Sequence, residues 1–278
     1  MIDLHTHSRA SDGSDTPAEL MGKAADAGLR AVALTDHDTV EGLAEASAAA
    51  AAGIRLVRGC ELSCEVDRGT MHLVVLFLEG DDGPLQSRLG ALRAGRDVRN
   101  VQIVDVLRGQ GLDLSIEEVL AEAGSGSVGR PHFAAVLMRK GYVASINEAF
   151  ERWLAKGRPA YMERERLEAV DAIELAHGSG AVTVLAHPQS LDRQGGDLDA
   201  FVAELTRAGL DGIEVEYGRY LPEERAALLE LAQRHGLSPS GGSDYHGSYK
   251  PDLALGVGRG DLRVPAEWLD ALEARRPG

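Results

Sequence analysis

Cysteine is almost missing from this chain: Cys60 and Cys64 are the only two. They cannot build a disulfide framework, so a reducing cytoplasm is the expected compartment. Their spacing allows a zinc half-site, but a strand-end Cys60 and a nearby Cys64 read more simply as small core residues. Aromatic residues are scarce as well, at 4%, against a hydrophobic fraction of 44%, so Ala, Leu and Val must supply the core. Long apolar runs are absent. The stretch at residues 48–52 is far too short to span a bilayer, and Met1 leads directly into Asp3 and His5, with no signal peptide in view. Positive charge is also in deficit: 29 Lys and Arg against 44 Asp and Glu leave a net charge of −15. That balance argues against wrapping long nucleic acid, because phosphate binding leans on Lys and Arg.

The deficit is uneven. Residues 88–166 hold thirteen Arg or Lys and ten Asp or Glu, a net of +3, which leaves −18 for the remainder. A basic segment in an acidic protein suits a small phosphorylated substrate, and a solvated helical face explains the charge equally well.

At 278 residues the chain can form one large α/β domain, or a barrel with an insertion. A short buried strand is expected at residues 2–4. Thr16-Pro17-Ala18-Glu19 is a helix start, with Thr as cap, Pro in the first turn and Glu19 closing a capping box; Gly28 follows the helix. Strands at 30–34, 54–57 and 71–78 and a helix at 40–52 continue an alternation that marks a parallel sheet. Between 83 and 164 strands are lacking. Helices are expected there at 85–108, from Ser115-Ile116-Glu117-Glu118 onward, at 131–140 and at 145–154, with a flexible loop at 124–129. The alternation then resumes with helices at 167–177, 198–208, 221–235 and 265–274 and strands at 181–186, 212–216 and 237–240. The pattern divides the chain into a barrel domain, 1–82 with 165–278, and a helical insertion at 83–164. Six or seven strands suggest a (β/α) barrel with the insertion over one end.

In such barrels the chemistry gathers at the carboxyl ends of the strands. His5, His7, His37, Glu61, His187, Asp244 and His246 all fall at strand ends, and His72 begins a strand. Side chains alternate along an extended chain, so His5 and His7 share a side, and Asp12 can reach the same region. Asp244-Tyr245-His246 repeats that spacing. Mixed imidazole and carboxylate donors suit a divalent transition metal without deciding which one. Pro188 is expected to keep His187 extended. His177 and His235 lie in helices and read as ordinary histidines.

The motifs Asp3-Leu4-His5-Thr6-His7, Ser11-Asp12-Gly13, Thr35-Asp36-His37-Asp38, Gly59 to Ser63 around Glu61 and Met71-His72-Leu73 resemble those of one family, as do Gly129-Arg130-Pro131-His132, Ala186-His187-Pro188 and Ser243-Asp244-Tyr245-His246-Gly247. The family is PHP (polymerase and histidinol phosphatase), of metal-dependent phosphoesterases. The likeness is closest to its small stand-alone bacterial members, nucleoside 3′,5′-bisphosphate phosphatases and 5′-3′ exoribonucleases. It implies an α/β fold: a distorted (β/α)7 barrel with the helical insertion over the carboxyl end of the strands as a substrate cap. It also implies two or three divalent ions of Mn, Fe or Zn. His5, His7, Glu61 and Asp244 would hold one ion; Glu61, His72 and His187 a second; Asp12, His37 and His246 a third. Leu73-Val74-Val75, Gln189 and Cys60 depart from common family residues, but none of them removes a ligand.

The chemistry follows from the ligand set. Metal-bound water has its pKa lowered from 15.7 to roughly 7, so a metal-bound hydroxide can attack without a side-chain nucleophile. Asp38 is a candidate for protonating the leaving group, with His246, His187 or a water as alternatives. Arg130 and His132 open an insertion helix where an anion is favoured and Arg130 can grip a phosphate; a plain capping turn is the other reading. Lys156 and Arg158 are candidates for further phosphate contact. Tyr161 is a candidate for stacking on a base, or else belongs to the insertion core. The reaction implied by the resemblance is hydrolysis of a nucleotide phosphate monoester. The best single substrate is a nucleoside 3′,5′-bisphosphate, giving the 5′-monophosphate, with 5′-3′ trimming of short RNA allowed. Two alternatives are histidinol phosphate phosphatase and a non-catalytic, metal-stabilised accessory domain. The expected partner is a small phosphorylated molecule, a nucleotide or short oligoribonucleotide, with no membrane and no long duplex nucleic acid.

Overall fold

The computed structural model describes residues 1–51, 53–123, 128–163 and 165–277. The chain starts with β1 (Ile2–Asp3) and enters α1 (Pro17–Asp26), where the Thr16 hydroxyl accepts from Glu19 N–H and the Glu19 carboxylate accepts from Thr16 N–H. This reciprocal cap satisfies two otherwise orphaned donors. β2 (Ala31–Leu34), α2 (Gly42–Ala49), β3 (Arg55–Cys64) and β4 (Met71–Leu76) follow. Next come α3 (Pro84–Gly109), α4 (Ile116–Ala123), α5 (Arg130–Arg139) and α6 (Ile146–Ala149), the last running into a π-helical turn at Phe150–Leu154. The chain closes with α7 (Ala169–Gly178), β5 (Val182–Leu185), α8 (Gly195–Arg207), β6 (Gly212–Tyr217), α9 (Pro222–His235), β7 (Ser238–Gly242) and α10 (Ala266–Glu273). Of the expected loop at 124–129, residues 124–127 lie outside the described residues, as do Ala52 and Arg164, the expected ends of a helix and of the insertion.

The strands form one seven-stranded sheet in sequence order, and Leu4 N–H bonds to Gly241 O at 3.1 Å, bringing the first strand against the last. The result is a nearly closed seven-stranded barrel: the alternation suggested six or seven strands in a (β/α) barrel, and the family resemblance implied seven. One expectation fails. β4 runs antiparallel to both β3 and β5, while the other pairs are parallel. The reason is the connection: the few residues between Cys64 and Met71 suffice for a hairpin, whereas a parallel return needs a crossover of a dozen or more. Reversal has two consequences. Pairing with β4 prolongs β3 to Cys64, so Glu61 lies inside a strand, opposite Val74, and not at its end. It also puts the start of β4 at the carboxyl end of its neighbours, where His72 O accepts from Ala186 N–H at 3.1 Å.

Two compact units result, Met1–Leu89 with Arg166–Gly278, and Gly90–Glu165. The first has a core of small and branched residues, among them Ile2, Leu4, Val57, Val74, Val184 and Leu272. The second has its own, including Ile103, Leu107, Phe133, Leu137 and Leu154. α3 begins in the first unit because its opening residues are tied there: Leu85 is fully buried and its N–H bonds to Ser179 Oγ, which also bonds the Gln86 side chain. Among the described residues no helix is long and apolar enough to cross a membrane.

Candidate metal centre

Residues 5–7 and 244–246 run side by side beyond β1 and β7. Asp244 N–H bonds to His5 O and His7 N–H to Tyr245 O, both at 2.9 Å. Glycine at 242 permits the approach, since a Cβ there would lie 2.4 Å from His5 Cβ. Asp3, wholly buried, pins the same corner by accepting from Ser243 N–H, Ser243 Oγ and Gly256 N–H. Asp36 does likewise next door, accepting from Ser8 N–H and from the Ser8 and Ser11 hydroxyls.

Glu61 is the hub. Its Oε2 faces His5 Nε2, His7 Nε2 and His37 Nδ1 at 3.3, 3.2 and 3.1 Å, and its Oε1 faces His72 Nδ1 and His187 Nε2, both at 3.0 Å. Asp244 Oδ1 lies 3.4 Å from His7 Nε2 and 3.7 Å from His5 Nε2. On the other side Asp12 Oδ1 stands 3.2 Å from His246 Nε2 and 3.6 Å from His7 Nδ1, with Asp12 Oδ2 3.7 Å from His37 Nε2. Every residue expected as a ligand is therefore brought into one cluster. Among the described residues, three groups hold their donor atoms within 4.8 Å: His7, Asp12, His37 and His246; His5, His7 and Glu61; and His37, Glu61 and His72.

The donor set fits divalent cations. His5 Nε2, both ring nitrogens of His7, His37 Nδ1 and His246 Nε2 are buried without a hydrogen bond, although each has a carboxylate oxygen within 3.1–3.6 Å. A buried polar group left without a partner costs about 1–3 kcal/mol. A cation between nitrogen and oxygen lone pairs satisfies both. Without one, protons take its place. Burial pulls the His5 and His7 imidazoles down, but the surrounding carboxylates outweigh it, raising His5 well above its usual value and His7 to about 9. Burial likewise pushes the Glu61 carboxyl up, and the imidazoles of His37, His5 and His72 bring it well below the ordinary range.

Three imidazoles have their tautomer set from behind. His5 Nδ1–H donates to Glu214 Oε1 at 3.0 Å, and His246 Nδ1–H to Asp244 O at 2.9 Å. His187 Nδ1–H donates to Ser190 Oγ at 3.0 Å, whose own hydroxyl donates to Thr70 O. In each ring the lone pair is left on Nε2, facing the carboxylates. His187 is not extended as Pro188 led one to expect: its φ is +26°. Proline disfavours the right-handed helical region for the preceding residue. Here Glu214 Oε2 accepts the His187 N–H at 2.7 Å and Ser190 N–H donates to His187 O, which holds a left-handed turn. Asp244 and Asp38 also have positive φ, at +55° and +50°, so strained backbone gathers around the cluster.

A family model for the PHP domain matches residues 3–92. The chain is 35% identical over 247 residues to a 3′,5′-nucleoside bisphosphate phosphatase of Chromobacterium violaceum, covering 88% of this chain and 87% of that protein. It is 34% identical over 245 residues to a 5′-3′ exoribonuclease of Haemophilus influenzae, covering 88% and 89%. This chain belongs to the PHP family. A solved structure from Bifidobacterium adolescentis, ascribed to the metal-dependent phosphoesterases, superposes with a TM-score of 0.79 at 31% identity over 100% of this chain and 96% of that one. The protein is a metal-dependent phosphoesterase, and the accessory-domain alternative falls away.

Beside the PHP cluster lies a cavity of about 340 Å³ whose walls include His72, His187, Tyr217, Tyr220, Asp244 and Lys250. Tyr217 OH and Lys250 Nζ both donate to Asp244 Oδ2, at 2.8 and 2.7 Å. Burial first, then the charges of Asp244 and Glu214, push the Tyr217 phenol above its ordinary range, so it stays a donor. Glu214, Tyr217 and Lys250 belong to no motif read in the sequence. A charged residue midway along the otherwise apolar Gly212–Val215 run was the one available signal for Glu214. Asp38 is not on the cavity wall: its carboxylate accepts from Ser63 N–H and Ser63 Oγ, at 2.8 and 3.1 Å. Cys60 and Cys64 are buried free thiols outside the metal-competent groups, and His177 and His235 pair with Asp211 and Asp199.

The helical unit of this PHP protein holds the remaining residues expected to contact substrate. His132 Nδ1 accepts from Gly129 N–H at 3.0 Å, capping α5. The Arg130 guanidinium lies 5.1 Å from the Tyr161 ring centre and donates to Leu154 O at 3.2 Å. Tyr161 is half-buried, while Lys156 and Arg158 are exposed.

Proposed function

We propose that the protein hydrolyses a phosphate monoester on a nucleotide, with a nucleoside 3′,5′-bisphosphate as substrate and the 5′-monophosphate and phosphate as products. Trimming of short RNA from its 5′ end is the extension of the same activity. What carries the hydrolytic reading is the set of unpaired buried imidazole nitrogens around Glu61 and Asp12. The substrate choice is supported by the similarity to the phosphatase and exoribonuclease. We assign one ion to His5, His7, Glu61 and Asp244, a second to Glu61, His72 and His187, and a third to Asp12, His37 and His246, with Mn, Fe and Zn all compatible. When bound, such ions supply Lewis acidity and lower the pKa of water.

The chain's own residues do the rest. Glu214, Ser190 and the Asp244 carbonyl hold three rings with Nε2 free. Tyr217 donates to the outer oxygen of Asp244, leaving the inner one to the imidazoles. The Ser63 bonds tie Asp38 to the carboxyl end of β3, so the leaving-group proton is assigned to water. In the helical unit, Arg130 and Tyr161 are proposed for phosphate and base, Lys156 and Arg158 for outlying phosphate, and the unit itself for a substrate cap. His132 is proposed to shape the α5 N-terminus through its cap. A cytoplasmic location belongs to the same reading.

The test is phosphate release from adenosine 3′,5′-bisphosphate, with manganese added and with EDTA. Fast, EDTA-sensitive release of the 3′-phosphate is expected. Hydrolysis of an aryl phosphate without any release from the bisphosphate would remove this substrate and leave the phosphoesterase.

A further inference from the structure

Asp244 works in two directions. Its Oδ1 faces the imidazoles of His5, His7 and His246, while its Oδ2 takes Tyr217 OH and Lys250 Nζ at the cavity wall. Lys250 Nζ thus stands one carboxylate away from the metal cluster. Lys250 is the one lysine or arginine among the described residues lining the cavity. An ammonium has three donors. One goes to Asp244 at 2.7 Å, and the other two have no partner among the described residues. The side chain is 31% exposed, so these donors are open to a solute.

The lysine is also held in place by its backbone. A short 3-10 turn, Gly247–Tyr249, follows His246 directly, and Ser248 N–H bonds to Ser14 Oγ at 2.8 Å. Gly247 has φ +66°, and an added Cβ would lie 2.0 Å from that same Ser14 oxygen, so the turn is packed tightly enough to need glycine. Beyond it Leu253 N–H bonds to Lys250 O at 3.0 Å. Neutralising Asp244 does not account for such a position, because imidazoles already surround its inner oxygen and Tyr217 serves the outer one. A phosphomonoester dianion entering this cavity meets Glu61 and Asp244, both carboxylates. It needs a fixed cation on the wall as well as whatever the cluster holds.

We infer that Lys250 is a catalytic residue whose ammonium contacts a non-bridging oxygen of the scissile phosphate while keeping its bond to Asp244. The inference rests on the phosphoesterase reading but not on the bisphosphate as substrate. A contact to the phosphoryl group is shared by every substrate and by the product phosphate, and that commonality can be measured.

The probe is inorganic phosphate, titrated by calorimetry into manganese-loaded wild-type, Lys250→Met and Lys250→Arg proteins, with bound metal and melting temperature determined for each. The methionine variant is expected to bind phosphate at least about tenfold more weakly. Its kcat/KM should fall about 100-fold, alike on an aryl phosphate and on the bisphosphate, as when one oxyanion donor is lost. At saturating manganese, metal content and melting temperature should not change, and the arginine variant should recover most of the phosphate affinity. Phosphate affinity within twofold of wild type in Lys250→Met would overturn the inference. So would loss of bound metal in that variant, which would assign the lysine to Asp244 alone. Because phosphate binding is read without turnover, a wild type inactive on the bisphosphate would defeat that substrate and leave Lys250 still decided.

Discussion

Replacing Glu214 by glutamine should break the metal centre without touching a ligand. Glu214 is 2% exposed, and its carboxylate accepts two bonds, His5 Nδ1–H at 3.0 Å on one oxygen and His187 N–H at 2.7 Å on the other. Glutamine has nearly the same shape but only one acceptor atom. The backbone N–H of His187 is a donor in every state, so it claims the amide oxygen. The amide NH₂ then faces His5 Nδ1, where two donors meet. His5 is forced to give up that proton and carry it on Nε2, the nitrogen 3.3 Å from Glu61 and 3.7 Å from Asp244. A protonated Nε2 cannot ligate. Loss of such an outer partner typically costs 10–100-fold in metal affinity, or about 1.4–2.7 kcal/mol. Manganese affinity measured by chelator competition should weaken by that factor in Glu214→Gln, with activity recovering as manganese is raised. Glu216→Gln, on the same strand but paired with Arg225, is the control and should leave affinity unchanged. Wild-type affinity in a folded Glu214→Gln protein would refute the tautomer argument.

Three further outcomes are expected. Burial lowers the His7 imidazole, but Asp244 and Glu61 raise it to about 9 from 6.5 in the metal-free protein. Because metal must displace that proton, apparent affinity should tighten about tenfold per pH unit between 7 and 9. The folded value is the raised one, so the stability it contributes to EDTA-treated protein is full below pH 6.5 and is lost as pH rises through about 9. A flat affinity profile from pH 7 to 9 would contradict this. Arg130→Ala should raise KM for the bisphosphate by about tenfold or more, the worth of one charge-assisted bond, and for an aryl phosphate much less. Equal effects on the two would count against a phosphate contact at Arg130.

Much of the fold could be read from local pattern. The Thr16–Glu19 capping box, the proline start of α1 and the strand–helix alternation depend on residues close in sequence, and each appears where expected. The polarity of β4 was not legible. Residues 71–76 have the same apolar run whichever way the strand points, and the deciding quantity was the length of the link from β3. That reversal also explains a puzzle in the sequence, a histidine at the beginning of a strand when its companions lie at ends. Tyr217 and Lys250 stayed hidden because one more tyrosine and one more lysine carry no periodic signal.

The sequence by itself determined which donors exist and which of them share a side. His5 and His7 share a side of an extended segment, and their chemistry is that of the side chains whatever the fold. Only the tertiary structure decided what each donor faces. That Glu61 sits among five imidazoles, that Glu214 holds His5 and His187 together, and that Asp244 divides its oxygens between imidazoles and Tyr217 all depend on strand register. Local spacing sets the direction of a side chain. The partner it meets can come from a segment 240 residues away, as Ser243 does for Asp3, and barrel closure chooses it.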